Sequence, residues 1–204
     1  MKHFQFLCVS INVSKGGSSM NIDKSILQRC KKNDKNAFAE LFKFYQNYLF
    51  KICFSYVQNE QTALDMLQEI YIKLYKNISK YDEKYPFHPW IRQVAVNTCL
   101  NEKRKAVPLS ISLSNEDEGF ALEDQLAAEE DTQKEVEKHD MARIIKQHIN
   151  SLPEKQRMVI ILRYYEDLSY EEISDLLKLP LGTVKTDLYR AKNALKGRLC
   201  KAVN

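Results

Sequence analysis

Glycine and proline are scarce in this chain, five of each in 204 residues, and strand-like alternation of apolar and polar side chains is hard to find. A fold of many short strands needs turn residues at regular intervals. An all-β architecture is therefore set aside, and the helical periodicity along most of the chain points to an all-α one. The five cysteines, Cys8, Cys30, Cys53, Cys99 and Cys200, are odd in number and form no C-x-x-C pair. Neither a disulfide framework nor a zinc site is expected; the cysteines read as small hydrophobes in a reducing compartment. The four histidines, His3, His88, His139 and His148, show no metal-ligand spacing. Nor is there a Gly-rich phosphate loop or a nucleophile–base arrangement, so no catalytic residue is assigned and no metal or cofactor is expected. No apolar run is long enough to span a bilayer as a helix. The run FQFLCVSINV near the N-terminus is short, interrupted by Gln5 and Asn12, and lacks a clear small-residue cleavage site. Residues 1–21 are accordingly expected to be a disordered extension, or the product of a start codon placed upstream of the true one.

Charge is plentiful but unevenly placed. Residues 1–105 hold 17 basic and 9 acidic side chains, net +8; residues 106–137 hold 1 and 10, net −9; residues 138–204 hold 13 and 8, net +5. Two basic blocks flank an acidic one. Basic blocks suit a polyanionic partner, although charge bears on association and not on fold. The acidic block is weakly periodic and reads as a flexible linker. Two helical domains are thus expected, 22–105 and 138–204, joined by a linker over 106–137.

In the first domain, periodicity predicts helices over about Ile22–Lys32, over Asn36–Val57 with its many aromatics, from an N-cap at Asn59 to about Ser79, and from Pro86 or Pro89 to Lys105. The third helix is expected to bury Leu64, Leu67, Tyr71, Leu74, Tyr75 and Ile78. Beside that stripe, Asp65, Gln68, Glu69 and Ile72 fall at i, i+3, i+4 and i+7 and share a face. With Met66 and Ile70 taken as exposed neighbours, the face reads as a protein-docking surface; taken alone, it also suits an ordinary solvated helix. On the fourth helix Trp90, Gln93, Asn97, Asn101 and Arg104 form a row, and Phe87 and His88 lie near its start. An aromatic, amides and terminal basic residues suit unstacked bases and phosphates, although Phe87 and Trp90 also suit a core.

In the second domain helices are expected near Lys138–Asn150 and from a Ser151/Glu154 capping box, with Pro153 in the first turn, to about Tyr165. The segment Ser169–Leu199 reads as a helix-turn-helix. Ser169 and Glu172 form a capping box, Pro180 cannot continue the first helix, and a second helix starts near Leu181 or Gly182. Its apolar stripe is Val184, Leu188, Ala191, Leu195 and Leu199, with Lys185, Thr186, Tyr189 and Arg190 on the opposite face, where a helix can reach base edges in the major groove. An amphipathic hairpin with a solvated basic face is the other reading of this segment alone.

Three stretches, ALDMLQEIYIKLYKNISKYD, PFHPWIRQVAVNTCLNEKRK and LPEKQRMVIILRYYEDLSYEEISDLLKLPLGTVKTDLYRAKNAL, together resemble an extracytoplasmic-function (ECF) RNA polymerase sigma factor. The D-x-x-Q-E run at Asp65–Glu69 and the L-P-x-x-x-R…G-T-V-K…R-A-K series are specific in combination, and the likeness spans about 22–105 and 138–200. It implies two all-α domains, the second in the winged-helix-like DNA-binding superfamily, and a cytoplasmic specificity subunit that is not an enzyme. It implies core RNA polymerase and promoter DNA as partners, with an anti-sigma factor a common addition. By the same resemblance, Asp65, Gln68, Glu69 and Ile72 would dock on polymerase. Phe87, His88, Trp90, Asn97, Asn101 and Arg104 would grip the minus-ten element and help melt it. Lys185, Thr186, Tyr189 and Arg190 would read the minus-thirty-five element. A stand-alone helix-turn-helix regulator would need neither the docking stripe nor the base-holding helix. Two residues depart from the family's usual pattern: Lys178 stands in the turn where glycine is common, and Asp187 lies one step from the reading face.

Overall fold

The computed structural model describes residues 22–105 and 148–202. The expected extension over 1–21 and linker over 106–137 lie outside the described residues, as does most of the helix expected near Lys138–Asn150. Among the described residues the secondary structure is wholly helical: α1 (Lys24–Lys31), α2 (Lys35–Val57), α3 (Glu60–Asn77) running into a 3₁₀ turn (Ile78–Lys80), α4 (Phe87–Lys105), α5 (Glu154–Tyr164), α6 (Tyr170–Leu177) and α7 (Leu181–Ala202). None of these helices is long and apolar enough to cross a membrane.

Short polar side chains set the helix starts. The Asp23 carboxylate accepts from the Ser25 amide at 2.8 Å, Asp34 accepts from the amides of Asn36 and Ala37, and Asn59 accepts from the Thr62 amide. Each supplies an acceptor to donors that have no partner within the first turn. Helix α2 stops at Gln58, which is left-handed at φ 55°, and α3 begins two residues later. Helices α2, α3 and α4 then pack around Leu41, Tyr45, Leu49, Ile52 and Tyr56 from α2, Met66, Ile70 and Leu74 from α3, and Ile91, Ala95 and Cys99 from α4, all essentially without solvent exposure. Cys30, Cys53 and Cys99 are buried free thiols, in keeping with their reading as small hydrophobes.

Two sequence expectations about α3 need correcting. Its buried face is Ala63, Met66, Leu67, Ile70 and Leu74, so Met66 and Ile70 point inward, whereas Leu64 and Tyr75 are exposed. The cause is the bulk of the tyrosines. Tyr71 stacks on Phe42 with ring centroids 4.3 Å apart and Tyr75 lies 4.8 Å from Phe38. These rings close the edge of the α2–α3 seam, and smaller aliphatic side chains fill its middle.

In the C-terminal part, α5 departs from the usual amphipathic pattern. Arg157, Met158, Val159, Ile160, Ile161 and Leu162 are six consecutive buried residues. A helix buried all round must have neighbours on more than one side, and α5 packs against α6 and α7 and also against α2 of the N-terminal part. The Ser151/Glu154 capping box is not formed. Pro153 is the cap residue with no side-chain bond, and the Ser151 hydroxyl donates instead to the His148 carbonyl at 2.7 Å. The amides of the first turn therefore receive no side-chain acceptor from the cap residue. The Ser169/Glu172 box does form, at 3.1 and 2.7 Å in its two directions. Replacing Ser169 with alanine removes an acceptor worth about 1 kcal/mol.

Helix α6 ends at Lys178, which is left-handed at φ 53°, ψ 43°. A side chain with a Cβ is disfavoured there by about 1–2 kcal/mol, offset in part because glycine leaves the unfolded chain freer. Lys178→Gly is therefore expected to stabilise the protein by about 0.5–1 kcal/mol, measured as a higher midpoint in chemical denaturation. An unchanged or lower midpoint would show that the lysine makes a compensating contact.

Candidate functional site

Three exposed surfaces and one buried cluster collect the polar chemistry of the described residues. On α3, Asp65 and Gln68 are exposed and Ile72 is 54% exposed, so one solvent-facing row carries both an acid and an uncovered apolar side chain. Glu69 is half-buried at the edge of that row. Lys73, one turn on, meets the Glu69 carboxylate at 2.9 Å and donates to the Thr98 hydroxyl of α4 at 3.1 Å. The edge of the α3 row is thereby tied to α4.

The α4 row begins in an aromatic cluster. Phe87 is buried, with its ring 5.6 Å from Tyr45, 5.1 Å from Tyr81 and 5.4 Å from Trp90. In this conformation it supports Trp90 and is not open to a nucleic acid. Trp90 is half-buried, while Asn97 and Asn101 are exposed. Arg104 lies near the C-terminal end of α4; its side chain is outside the described part. Tyr85, in the loop before α4, is 68% exposed and adds an aromatic surface near the start of the row. His88 differs most from expectation. Its ring lies 4.6 Å from Tyr48 and 6.0 Å from Tyr45, and neither ring nitrogen has a hydrogen-bond partner. Burial, helped by the nearby Arg92 charge, pushes its pKa down to about 4.

In the helix-turn-helix, Val184, Leu188, Ala191 and Leu195 are buried as expected, and Lys185, Thr186, Tyr189 and Arg190 are all exposed on one side of α7. Tyr189 is 67% exposed and gives that face an aromatic surface. The Thr186 hydroxyl donates to the Gly182 carbonyl at 2.8 Å, which fixes its rotamer. Asp187 is half-buried at the edge of the exposed face.

The buried cluster joins the two parts of the chain. The Glu166 carboxylate, with no side-chain exposure, accepts from Arg92 Nε of α4 and from the Tyr48 hydroxyl of α2, each at 2.8 Å. Burial pushes the Glu166 carboxyl up from its ordinary value, and the Arg92 guanidinium and the Tyr48 hydroxyl counter that rise. Nearby, Arg157 of α5 donates to the Tyr56 carbonyl at the end of α2 at 2.8 Å, and to the carbonyls of Leu152 and Asn150. Gln93 uses both amide hydrogens, donating to the Leu176 carbonyl of α6 at 3.0 Å and to Asn97 at 3.1 Å. From the sequence, Arg92 and Glu166 carry no assignment, Tyr48 is one of the core aromatics of its helix, and Arg157 enters only as the arginine of the L-P-x-x-x-R run. An arginine set among Ile91, Val94 and Ala95, and a glutamate between Tyr165 and Leu168, were the available signals.

Residues 41–107 match the family model described as Sigma-70 region 2, and residues 142–195 match the model described as Sigma-70, region 4. The chain is 33% identical over 183 residues to the ECF RNA polymerase sigma factor SigW of Bacillus subtilis (strain 168), covering 86% of this chain and 96% of that protein. It is 30% identical over 180 residues to the ECF RNA polymerase sigma-E factor of Escherichia coli (strain K12), covering 87% and 94%. Among solved structures, CnrH in complex with the cytosolic domain of CnrY aligns with a TM-score of 0.57 and 17% identity over 88% of this chain and 97% of that one. The sigma factor RpoE in complex with the anti-sigma factor NepR, from Bartonella quintana, aligns with a TM-score of 0.54 and 19% identity over 79% and 96%. At these identities the two structures speak to fold.

The state of His88 yields a pH prediction. Its folded value of about 4 lies below the ordinary 6.5, so on acidification the unfolded chain takes up a proton before the folded one. Stability is whole above about pH 6.5 and declines as the pH falls from there toward 4. NMR titration of the His88 ring protons is expected to show a midpoint near 4; a midpoint near 6.5 would mean that the ring is open to water.

Proposed function

The chain belongs to the ECF RNA polymerase sigma factors, and on that premise we propose which of its surfaces carry each step of promoter use. As a member of that family it binds core RNA polymerase and directs it to promoters, where transcription begins. Members of the family are transcription initiation factors, and our reading is that this one supplies recognition and no catalysis of its own. We assign it to the cytoplasm, where its polymerase works, and we treat residues 22–105 and 138–204 as its two working domains with 106–137 as the tether.

The observation that carries the assignment is that three chemically different faces are presented to solvent on one chain. The α3 row of Asp65, Gln68 and Ile72, with Glu69 at its edge, has the acid, amide and uncovered aliphatic group that a protein–protein contact uses, and is our docking surface for core polymerase. The α4 row of Trp90, Asn97 and Asn101, continued by Arg104, is our minus-ten surface, with Phe87 and His88 acting from beneath it. Extruding a base from the duplex costs a few kcal/mol; stacking on an aromatic side chain returns about 1–3 kcal/mol per base. Asn97 and Asn101 each offer a donor pair and an acceptor to the Watson–Crick edge of such a base. The exposed set on α7, Lys185, Thr186, Tyr189 and Arg190, is our minus-thirty-five surface, placed along a helix of the kind that enters a major groove. Asp187, at the edge of that set, would repel phosphate or accept from a cytosine amino group. An anti-sigma partner is in keeping with the Bartonella quintana relative, which was solved with one.

Reconstitution with core polymerase tests each assignment. Asp65→Ala combined with Gln68→Ala is expected to weaken core binding while the circular dichroism spectrum stays unchanged; wild-type core affinity in that variant sinks the docking surface. Arg190→Ala is expected to reduce upstream promoter recognition by roughly 5- to 150-fold, the equivalent of about 1–3 kcal/mol for one good base or phosphate contact, with core binding intact. Undiminished promoter-specific transcription by that variant would remove α7's exposed face as the reading surface.

A further inference from the structure

We infer that helix α1 is a splint for the loop ahead of α4: Gln28 and Lys31 grip Glu83, and Glu83 thereby acts as a positioning residue that presents Tyr85 to an unstacked base at the minus-ten surface. That role rests on the minus-ten assignment made above, and it falls to an element that lies ahead of the segment, residues 41–107, matched to Sigma-70 region 2. Helix α1 buries one face through Leu27 and Cys30. Its polar edge reaches across to the loop. Lys31 Nζ meets Glu83 Oε1 at 2.8 Å, and Gln28 Nε2 donates to Oε2 at 3.4 Å. Two residues one turn apart, neighbours on the helix surface, thus occupy both oxygens of a single carboxylate. These two donors hold the Glu83 carboxyl below its ordinary value. Lys31 also lies over the Tyr81 ring, 5.5 Å from its centroid.

The loop is held from beneath as well. The buried Tyr81 ring packs on Phe87 and Trp90, with centroids 5.1 and 5.5 Å away, and its hydroxyl donates to the Tyr85 carbonyl at 2.5 Å. Asp82 shapes the turn between. Its side chain accepts from the Lys84 amide at 3.0 Å, and its carbonyl accepts from the Tyr85 amide at 3.2 Å. Glu83 is part of that turn and is the residue that α1 holds. The backbone of Tyr85 is fixed in this way from two sides, while its side chain stays 68% exposed. Tyr85 and the half-buried Trp90 both contact Tyr81, so the two stand at the same end of the α4 row.

A partly exposed ion pair adds little to global stability, so the effect of Lys31 on Glu83 is local order. A side chain already in place loses less freedom when a ligand seats on it. An exposed aromatic ring stacks on any extruded base, because every base has a π-face. On a loop released from α1, the same ring would have to be ordered at the moment of binding. Direct phosphate contact is the other use a lysine could have at this place. Here its ammonium is committed to Glu83 and Tyr81, and an exchange of charges separates the two roles.

Two readouts on the full chain test the splint: amide hydrogen exchange of the free protein, and promoter opening with core polymerase. Glu83→Lys is expected to lower the protection of the Lys84 and Tyr85 amides. It is also expected to reduce open-complex formation by about 3- to 10-fold, the effect of having to order one or two side chains on binding, with core affinity and the denaturation midpoint unchanged. Lys31→Glu is expected to behave alike, and Lys31→Glu combined with Glu83→Lys to recover both readouts. Tyr85→Ala is expected to reduce opening by about 5- to 150-fold, the equivalent of one stacked base, and Tyr85→Phe to keep it. A combined variant as defective as Lys31→Glu alone overturns the splint, since Lys31 would then be a phosphate contact. Wild-type amide protection or wild-type opening in Glu83→Lys overturns it too, and wild-type opening in Tyr85→Ala removes Tyr85 as the ring it presents. Should Glu83→Lys lose its helical spectrum, Glu83→Gln, which keeps the volume and removes the charge, decides on the same terms. If wild type itself opens no promoter, the minus-ten assignment fails and the role of Tyr85 with it, while amide exchange still decides whether α1 orders the loop.

Discussion

A carboxylate taken out of water has to be answered by charge and hydrogen bonds, and Glu166 is answered by residues from the far side of the chain. Arg92 comes from α4 and Tyr48 from α2, 74 and 118 residues away in sequence. Their meeting fixes how the C-terminal helices sit on the N-terminal ones. Arg157 strengthens that arrangement by donating to the Tyr56 carbonyl, a backbone acceptor left over where α2 ends. The domain contact therefore depends on groups that would be well solvated apart and are only partly satisfied together. The ion pair is not alone there: α5, buried from Arg157 to Leu162, packs on α2, and one aliphatic and aromatic cluster runs through both parts of the chain.

Helix α3 illustrates how one element can serve two masters. Its buried stripe of small and medium aliphatic side chains locks it to α2, and that rigidity keeps Asp65, Gln68 and Ile72 in register on the outer face. The two faces are also linked chemically, because Lys73 holds Glu69 at the edge of the outer row and reaches Thr98 of α4 at the same time. A change of charge on the α3 row is thus felt one hydrogen bond away on the helix that carries Asn97 and Asn101.

Much of this was readable from periodicity and capping chemistry. The helix boundaries around Asn59, Ser169 and Leu181 followed from acceptor side chains and from proline, which act locally and need no knowledge of the tertiary fold. The exposed sets on α3 and α7 were readable for a similar reason, since side chains three and four apart share a helix face whatever the helix packs against. What could not be read depended on partners distant in sequence. Tyr71 and Tyr75 shifted the buried stripe of α3 because Phe42 and Phe38 lay opposite them. His88, assigned a contact with DNA, sits among Tyr45, Tyr48 and Arg92 because α2 passes under the start of α4. Ser151 lost its cap role to Pro153 and turned back to His148. The apolar neighbours of Arg92 and Glu166 hint that each is buried, but local sequence cannot name a partner 74 residues away.

The unbroken burial of Arg157 to Leu162 has a bearing on how proteins of this build can be recombined. Successive turns of α5 face two different hosts, α6 and α7 on one side and α2 on the other, so its sequence is written for both at once. An exchange of C-terminal domains between relatives would carry α5 into a foreign partner. The transplanted helix would fold correctly against its own neighbours and fit poorly against its new one. The functional joint for such exchanges is therefore the seam between α2 and α5, and a chimera that respects it has to take the end of α2 along with the domain.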